Sequence, residues 1–237
     1  MDWRSVDAAL FDLDGVITPT AEVHLRAWAE LFTAALPPDV APWSDADYFA
    51  HVDGRQRSDG VRAVLASRGL TLPEGDPDDP PGARTVHGLG NRKNDAFLTV
   101  LHRDGIAGYP GSVRLLDWLA GRGIRVGLVS SSRNARAVLG AAGLADRFPV
   151  VVDGLVAAEL ELAGKPAPDT YRYAARLLGV PERRAVVVED AVSGVAAGRA
   201  GGFALVVGVD RGVGEPALRE AGADIVVTDL ADLIPTA

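Results

Sequence analysis

Asp12 and Asp14 stand two residues apart, directly after the apolar run Ala8-Ala9-Leu10-Phe11 and directly before Gly15. The run reads as a buried strand, and the acids as the loop at its carboxyl end. Two like charges held so close repel one another and cost stability unless a cation or a reaction uses them. The carboxyl end of a parallel strand is also where α/β sheets bind ligands. Further along, Ser130-Ser131-Ser132 and Glu189-Asp190 each close another β-branched run, and between them Lys165 sits among prolines in Gly164-Lys165-Pro166-Ala167-Pro168. In a parallel sheet those strand ends share one edge. Carboxylates suit a hard cation such as Mg²⁺, which takes oxygen ligands and bridges protein to phosphate. Serine hydroxyls, loop amides and the lysine ammonium suit phosphate oxygens. Each signal taken singly has a plainer reading: a serine run as a loop, a lysine as a solvated charge, an acidic pair at a helix start as a cap. Their joint occurrence at successive strand ends points to metal-assisted phosphate chemistry.

The elements that must hold these groups follow from hydrophobic spacing. Residues 20–36 place Leu25, Trp28, Ala29, Leu31 and Phe32 at helical intervals before Pro37-Pro38 stops the pattern. Residues 45–70 read as helix in two pieces split near Asp53-Gly54, residues 71–82 as an exposed loop, and 91–102 as another helix. No strand is expected between 20 and 105. From Ile106 onward, β-branched runs alternate with alanine- and leucine-rich helical stretches, the pattern of βαβ units. Expected strands are 124–130, 149–152, 185–188, 204–209 and 224–227; expected helices are 112–120, 135–142, 168–178 and 192–200. The fold class predicted is therefore α/β, a doubly wound, Rossmann-like parallel sheet made by 1–19 and 106–237, with an all-helical cap domain, 20–105, inserted after the first strand.

A chain of 237 residues can bury a substantial core. With 24 basic and 32 acidic residues its net charge is −8, which disfavours a nucleic-acid backbone or an anionic membrane as a general partner. Cysteine is absent, so disulfides and thiolate metal sites are excluded. No apolar run approaches the roughly 18 residues of a membrane span, and no signal segment is evident. The expectation is a cytoplasmic monomer acting on a small molecule.

The set FDLDGVIT, VSSS, GKPAPD and VVVEDAVSG resembles the four signature segments of the haloacid dehalogenase-like phosphotransferase superfamily, over nearly the whole chain. Within it, FDLDGVITPTAEVHLRAW, NRKND and SSSRN are most similar to the family of sugar-phosphate mutases of the β-phosphoglucomutase type, which interconvert β-glucose 1-phosphate and glucose 6-phosphate. Pro19 departs from the first motif, which usually ends in aspartate; the position lies in the hinge. The resemblance implies Asp12 as the nucleophile that becomes an aspartyl phosphate and Asp14 as the general acid/base. A carboxylate with a reference pKa of about 3.9 is ionised at neutral pH and needs no activating base.

The resemblance further implies Mg²⁺ on Asp12, the Asp14 carbonyl, Glu189 and Asp190, and the transferring phosphate on Ser130, Ser131 and Lys165. The non-reacting phosphate falls to Arg57 with Ser132, Arg133 and Asn134, and its binding energy can serve to close the cap. His24, Lys93 and Trp28 are implied as cap and sugar contacts, although the periodicity of Trp28 also suits helix core. Glucose 1,6-bisphosphate is implied as the activating intermediate. Two other readings stay open at this point. One is a sugar-phosphate phosphatase with the same residues, in which water is the acceptor. The other is a phospho-aspartate receiver module, whose usual domain of about 100–150 residues would leave 20–105 without a purpose.

Overall fold

A computed structural model describes residues 3–235. The chain forms two compact units, one from the segments up to Pro19 and from Ile106 onward, the other Thr20–Gly105. Strand β1 (Ala8–Phe11) opens the first unit. The second unit is helical: α1 (Thr20–Ala35), α2 (Asp45–Asp47) running on into a π-helical turn (Tyr48–Val52), α3 (Arg57–Ser67) and α4 (Val86–Asp104). The first unit then resumes with α5 (Pro110–Ala120), β2 (Arg125–Val129), α6 (Ala135–Ala141), β3 (Val150–Val152), α7 (Gly154–Glu159), α8 (Asp169–Leu177), β4 (Ala185–Glu189), α9 (Val192–Gly201), β5 (Leu205–Val209), α10 (Glu215–Ala221) and β6 (Ile225–Val227).

The six strands form one sheet in the order β3-β2-β1-β4-β5-β6, and every pairing is parallel. All carboxyl ends therefore lie along one edge, and the order reverses between β1 and β4, where open α/β sheets bind ligands. A receiver domain orders its strands 2-1-3-4-5, so this topology sets that reading aside. Every residue of β1 and of β4 is buried. Ala8 and Leu10 pack with Tyr171, Ala174 and Ala175 of α8. Ala9 and Phe11 point the other way by the pleat and are equally inaccessible, so both sheet faces are covered. That double cover is why these strands read as unbroken apolar runs.

In the helical unit, α1, α3 and α4 enclose a core in which Trp28 stacks on Phe32 at 5.5 Å and Phe32 on Trp43 at 5.2 Å. Helix α4 starts at Val86, not at the expected 91. The Thr85 hydroxyl caps it by accepting from Gly88 N at 3.0 Å. Gly88 and Gly90 lower helix propensity and mask this start, yet Gly88 is required by backbone and Gly90 lies close against Arg57. A Cβ at 88 would lie 2.4 Å from Ala83 O, and one at 90 would lie 3.0 Å from Arg57 Cδ. Helices α7 and α10 were not anticipated either: each is short, and α7 begins at a glycine.

The helical unit also holds a shielded bidentate pair. Arg68 donates from Nη1 and Nη2 to Asp47 Oδ1 and Oδ2 at 2.7 and 2.6 Å. The Arg68 hydrogen bonds outweigh partial burial and, helped by Ser44, hold the Asp47 pKa down to about 2 from 3.8. A depressed folded-state pKa gives stability that is complete above the unfolded value and fades as pH falls from about 4 to about 2, a contribution on the order of 2 kcal/mol at neutral pH. Chemical denaturation of Asp47→Asn should therefore show a deficit of about that size at pH 7 that closes by pH 2. A deficit independent of pH would show that the ion pair is not its source.

Candidate active site

The loop after β1 is a closed turn. Ile17 N and Thr18 N both donate to Leu13 O, at 2.9 and 3.0 Å, and Gly15 N donates to Thr18 O at 2.8 Å. Gly15 adopts φ +77°, and a Cβ there would lie 1.8 Å from Asp190 Oδ2. Glycine is thus required both for the turn and for the approach of Asp190 to the first acidic loop. Asp12 is 5 % exposed, and Asp14 is half-buried.

Lys165 reaches this centre from the loop before α8. Its Nζ lies 2.5 Å from both Asp12 Oδ1 and Glu189 Oε1. Glu189 is fully buried and also accepts from Tyr171 Oη at 2.8 Å and from Ala191 N at 3.2 Å. An isolated buried carboxylate costs several kcal/mol, so these donors are what allow it to stay inside. Burial disfavours the Lys165 charge, but Asp12 and Glu189 outweigh it and hold its pKa above the ordinary lysine value. Burial pushes the Asp12 carboxyl well above the ordinary carboxylate range; Lys165 pulls against this, and the negative charges of Glu189 and Asp14 add to it. Lys165 thus works against burial in favour of the Asp12 charge. Burial, followed by the charges of Glu189 and Asp12, also raises the Tyr171 phenol well above its usual range and keeps it a donor.

Carboxylate oxygens of Asp12, Glu189 and Asp190 lie within 4.8 Å of one another, and all three residues are buried. The set offers oxygen donors only, and Lys165 pairs with two of the three, Asp12 and Glu189. Three hard oxygen donors buried within reach of one another fit a divalent cation of the Mg²⁺ kind.

Beside this centre, Ser130 is 3 % exposed at the end of β2, and its Oγ accepts from Ser132 N at 3.0 Å. Ser132 Oγ accepts in turn from Asn134 N at 3.1 Å, which curls the loop ahead of α6. Ser131, Ser132 and Asn134 are half-buried, and Arg133 is exposed.

The remaining predicted residues lie in the helical unit. His24 and Lys93 are buried side by side, with Lys93 Nζ against His24 Nδ1. A lysine ammonium only donates, which places the imidazole proton on Nε2. The His24 ring stacks on Phe97 at 4.2 Å, and Lys93 Nζ lies 5.0 Å from the Trp28 ring centroid. Of the two readings of Trp28, its 4 % exposure supports core packing. Arg57, the first residue of α3, donates from Nη1 to Gly90 O and Asn91 Oδ1, both at 3.1 Å.

Four residues near these groups have no role assigned to them from sequence. Tyr171 looked like a helix core residue. Gly194 looked like helix interior, but a Cβ there would lie 1.8 Å from Glu189 Oε1. Asn91 ties Arg57 to the 71–85 loop through its Nδ2, which donates to Pro77 O and Asp79 O at 2.9 Å. Asp153 is 1 % exposed at the end of β3, where it caps α7 through Leu155 N and Val156 N at 3.0 Å. Gly194 ends the segment VVVEDAVSG and Asn91 opens NRKND, and Asp153 is an acid closing a β-branched run; Tyr171 carries no such signal.

A doubly wound core with an acid-and-lysine centre at its switch point, carrying a helical insert after β1, defines a phosphoryl-transfer enzyme of the haloacid dehalogenase-like class. The model of the haloacid dehalogenase-like hydrolase family matches residues 6–202, and the chain belongs to that family. It is 50 % identical to the beta-phosphoglucomutase of Mycobacterium bovis over 98 % of this chain and 92 % of that one. It is 34 % identical to the beta-phosphoglucomutase of Bacillus subtilis, with 95 % and 91 % covered. Among solved structures, beta-phosphoglucomutase from Clostridium difficile superposes with a TM-score of 0.79 at 25 % identity, covering 97 % of this chain and 93 % of that chain.

Proposed function

We propose that the protein is a Mg²⁺-dependent sugar-phosphate mutase that interconverts β-glucose 1-phosphate and glucose 6-phosphate through an aspartyl phosphate on Asp12. The observation that carries this reading is the likeness to beta-phosphoglucomutase at 50 % identity, which spans the helical unit as well as the α/β core. Asp12 attacks phosphorus, and a phosphorus–oxygen bond forms at its carboxylate as the bond to the sugar oxygen breaks. Asp14 gives the leaving oxygen its proton and, in the opposite direction, takes one from the incoming hydroxyl. Lys165 and Ser130 hold the transferring phosphoryl oxygens, with Ser131 beside them, in a reaction catalysed mainly by positioning and charge. Asp12, the Asp14 carbonyl, Glu189 and Asp190 would hold the cation, which neutralises charge on the phosphoryl group and on Asp12 when bound. Moving a phosphoryl group from O1 to O6 by way of Asp12 requires glucose 1,6-bisphosphate between the two transfers.

The non-reacting phosphate is assigned to Arg57 with Ser132, Arg133 and Asn134, and recognition of the sugar to His24 and Lys93. Acetyl phosphate carries no second phosphate and no sugar. His24→Ala and Arg57→Ala should therefore each lower kcat/KM for sugar isomerisation by about 10- to 100-fold while changing acetyl phosphate hydrolysis far less. Equal loss of both activities would remove the two residues from substrate recognition.

The hydrolase family model favours one alternative, a sugar-phosphate phosphatase with water as acceptor. An assay with β-glucose 1-phosphate and a trace of glucose 1,6-bisphosphate separates the two. A mutase yields glucose 6-phosphate with little free phosphate, and a phosphatase yields phosphate in step with substrate loss.

A further inference from the structure

The loop that carries Asp14 is held at three successive carbonyls by donors from later in the α/β unit. Arg211 Nε donates to Gly15 O at 2.7 Å, Ser112 Oγ to Val16 O at 2.6 Å, and Tyr109 N to Ile17 O at 2.8 Å. Of these, Arg211 binds more than the loop. Its Nη1 donates to Thr228 O at 2.8 Å, and its guanidinium carbon lies 4.0 Å from the centre of the Tyr109 ring. One planar group, half-buried, thus joins the acidic loop to the ends of β5 and β6 while resting on the residue whose own amide holds Ile17. A lysine ammonium could serve one of these carbonyls but could not reproduce the fork and the stack together.

Asp14 lies beyond the end of β1, and its ladder-type pairing is an isolated bridge to Thr18 within the same loop. The turn is closed on itself from Leu13 to Thr18, with Leu13, Val16 and Ile17 fully buried, and the three donors to its carbonyls add fixed points to that packing. We propose that Arg211 is a positioning residue for the reaction: by holding Gly15 O against Thr228 and Tyr109, it keeps the Asp14 carboxyl where it exchanges a proton with the sugar oxygen. This rests on the reading of Asp14 as the acid/base.

The test compares Arg211→Ala, Arg211→Lys, Asp14→Asn and the Arg211→Ala/Asp14→Asn double variant. For each, phosphoenzyme formation from acetyl phosphate, kcat and KM for β-glucose 1-phosphate, and the melting temperature are measured. Acetate is a good leaving group that needs little help from an acid, so the first step should survive. Arg211→Ala should lower kcat by about 10- to 100-fold with KM changed by no more than about twofold. Arg211→Lys should restore part of this loss, and Arg211→Ala should add less than about twofold once Asp14 is already Asn. A full additional loss in the Asp14→Asn background, or an equal loss of phosphoenzyme formation, overturns the proposal. If Asp14→Asn leaves the sugar step intact, the acid/base reading itself fails and takes this one with it. Tyr109→Leu removes the stacked ring but keeps the amide. It should give a smaller loss of the same pattern, which keeps the test decisive even if Arg211→Ala does not fold.

Discussion

Asp12→Asn should abolish both phosphoenzyme and turnover while leaving the fold intact. The substitution removes the attacking charge and keeps the volume, and neither Glu189 nor Asp190 can take over without moving. Glu189 is enclosed by Lys165, Tyr171 and the Ala191 amide, and Asp190 sits against Gly15. The same variant should keep or raise the melting temperature of the metal-free protein. Burial and two negative neighbours already disfavour the Asp12 charge in the folded state, whereas Lys165 retains Glu189 as a partner once that charge is gone. Mass spectrometry after incubation with acetyl phosphate checks the first expectation, and thermal unfolding the second. Phosphate found on another residue of the variant would take the nucleophile's role from Asp12. A large drop in melting temperature would show that Asp12 contributes to folding as well as to chemistry.

Asp14→Asn should slow the proton-dependent transfer to and from sugar by about 10²–10⁴. Its affinity for Mg²⁺ should change little, because the role assigned to Asp14 in holding the cation falls to its backbone oxygen. The contrast with Asp12 separates the two acids, since Asp12 contributes carboxylate oxygen to the buried cluster with Glu189 and Asp190 and Asp14 does not. Metal titration by calorimetry alongside steady-state kinetics reads both quantities. Lost metal affinity with little change in rate would mean that the two carboxylates have been assigned the wrong way round.

The sheet was legible in sequence because its strands are buried on both faces. Ala8–Phe11 and Ala185–Glu189 appear as unbroken apolar runs, and each ends abruptly at an acid or a hydroxyl. The breaks at Asp12, Ser130 and Glu189-Asp190 reflect a local rule, that a strand emerging from a doubly covered sheet meets polar groups at its carboxyl end. Less legible were elements whose local propensity runs against their structure. Helix α4 begins among glycines, and Gly90 meets Arg57 only once α3 and α4 are packed.

Residue types and spacing by themselves determined the α/β class, the helical insert between residues 20 and 105, and the candidate acids, because each is written in hydrophobic period or in short polar breaks within one stretch of chain. Tertiary structure alone decided how those acids are charged and held. Asp12 and Lys165 are 153 positions apart, yet their ion pair, together with burial that no linear pattern reports, sets the ionisation of both. The same holds for Arg211 against Gly15, 196 positions apart, and, within the helical unit, for Asn91 against Arg57, 34 apart. Short-range propensity cannot encode contacts at such separations; those of the α/β unit exist only after the parallel crossovers have brought the strand ends to one edge.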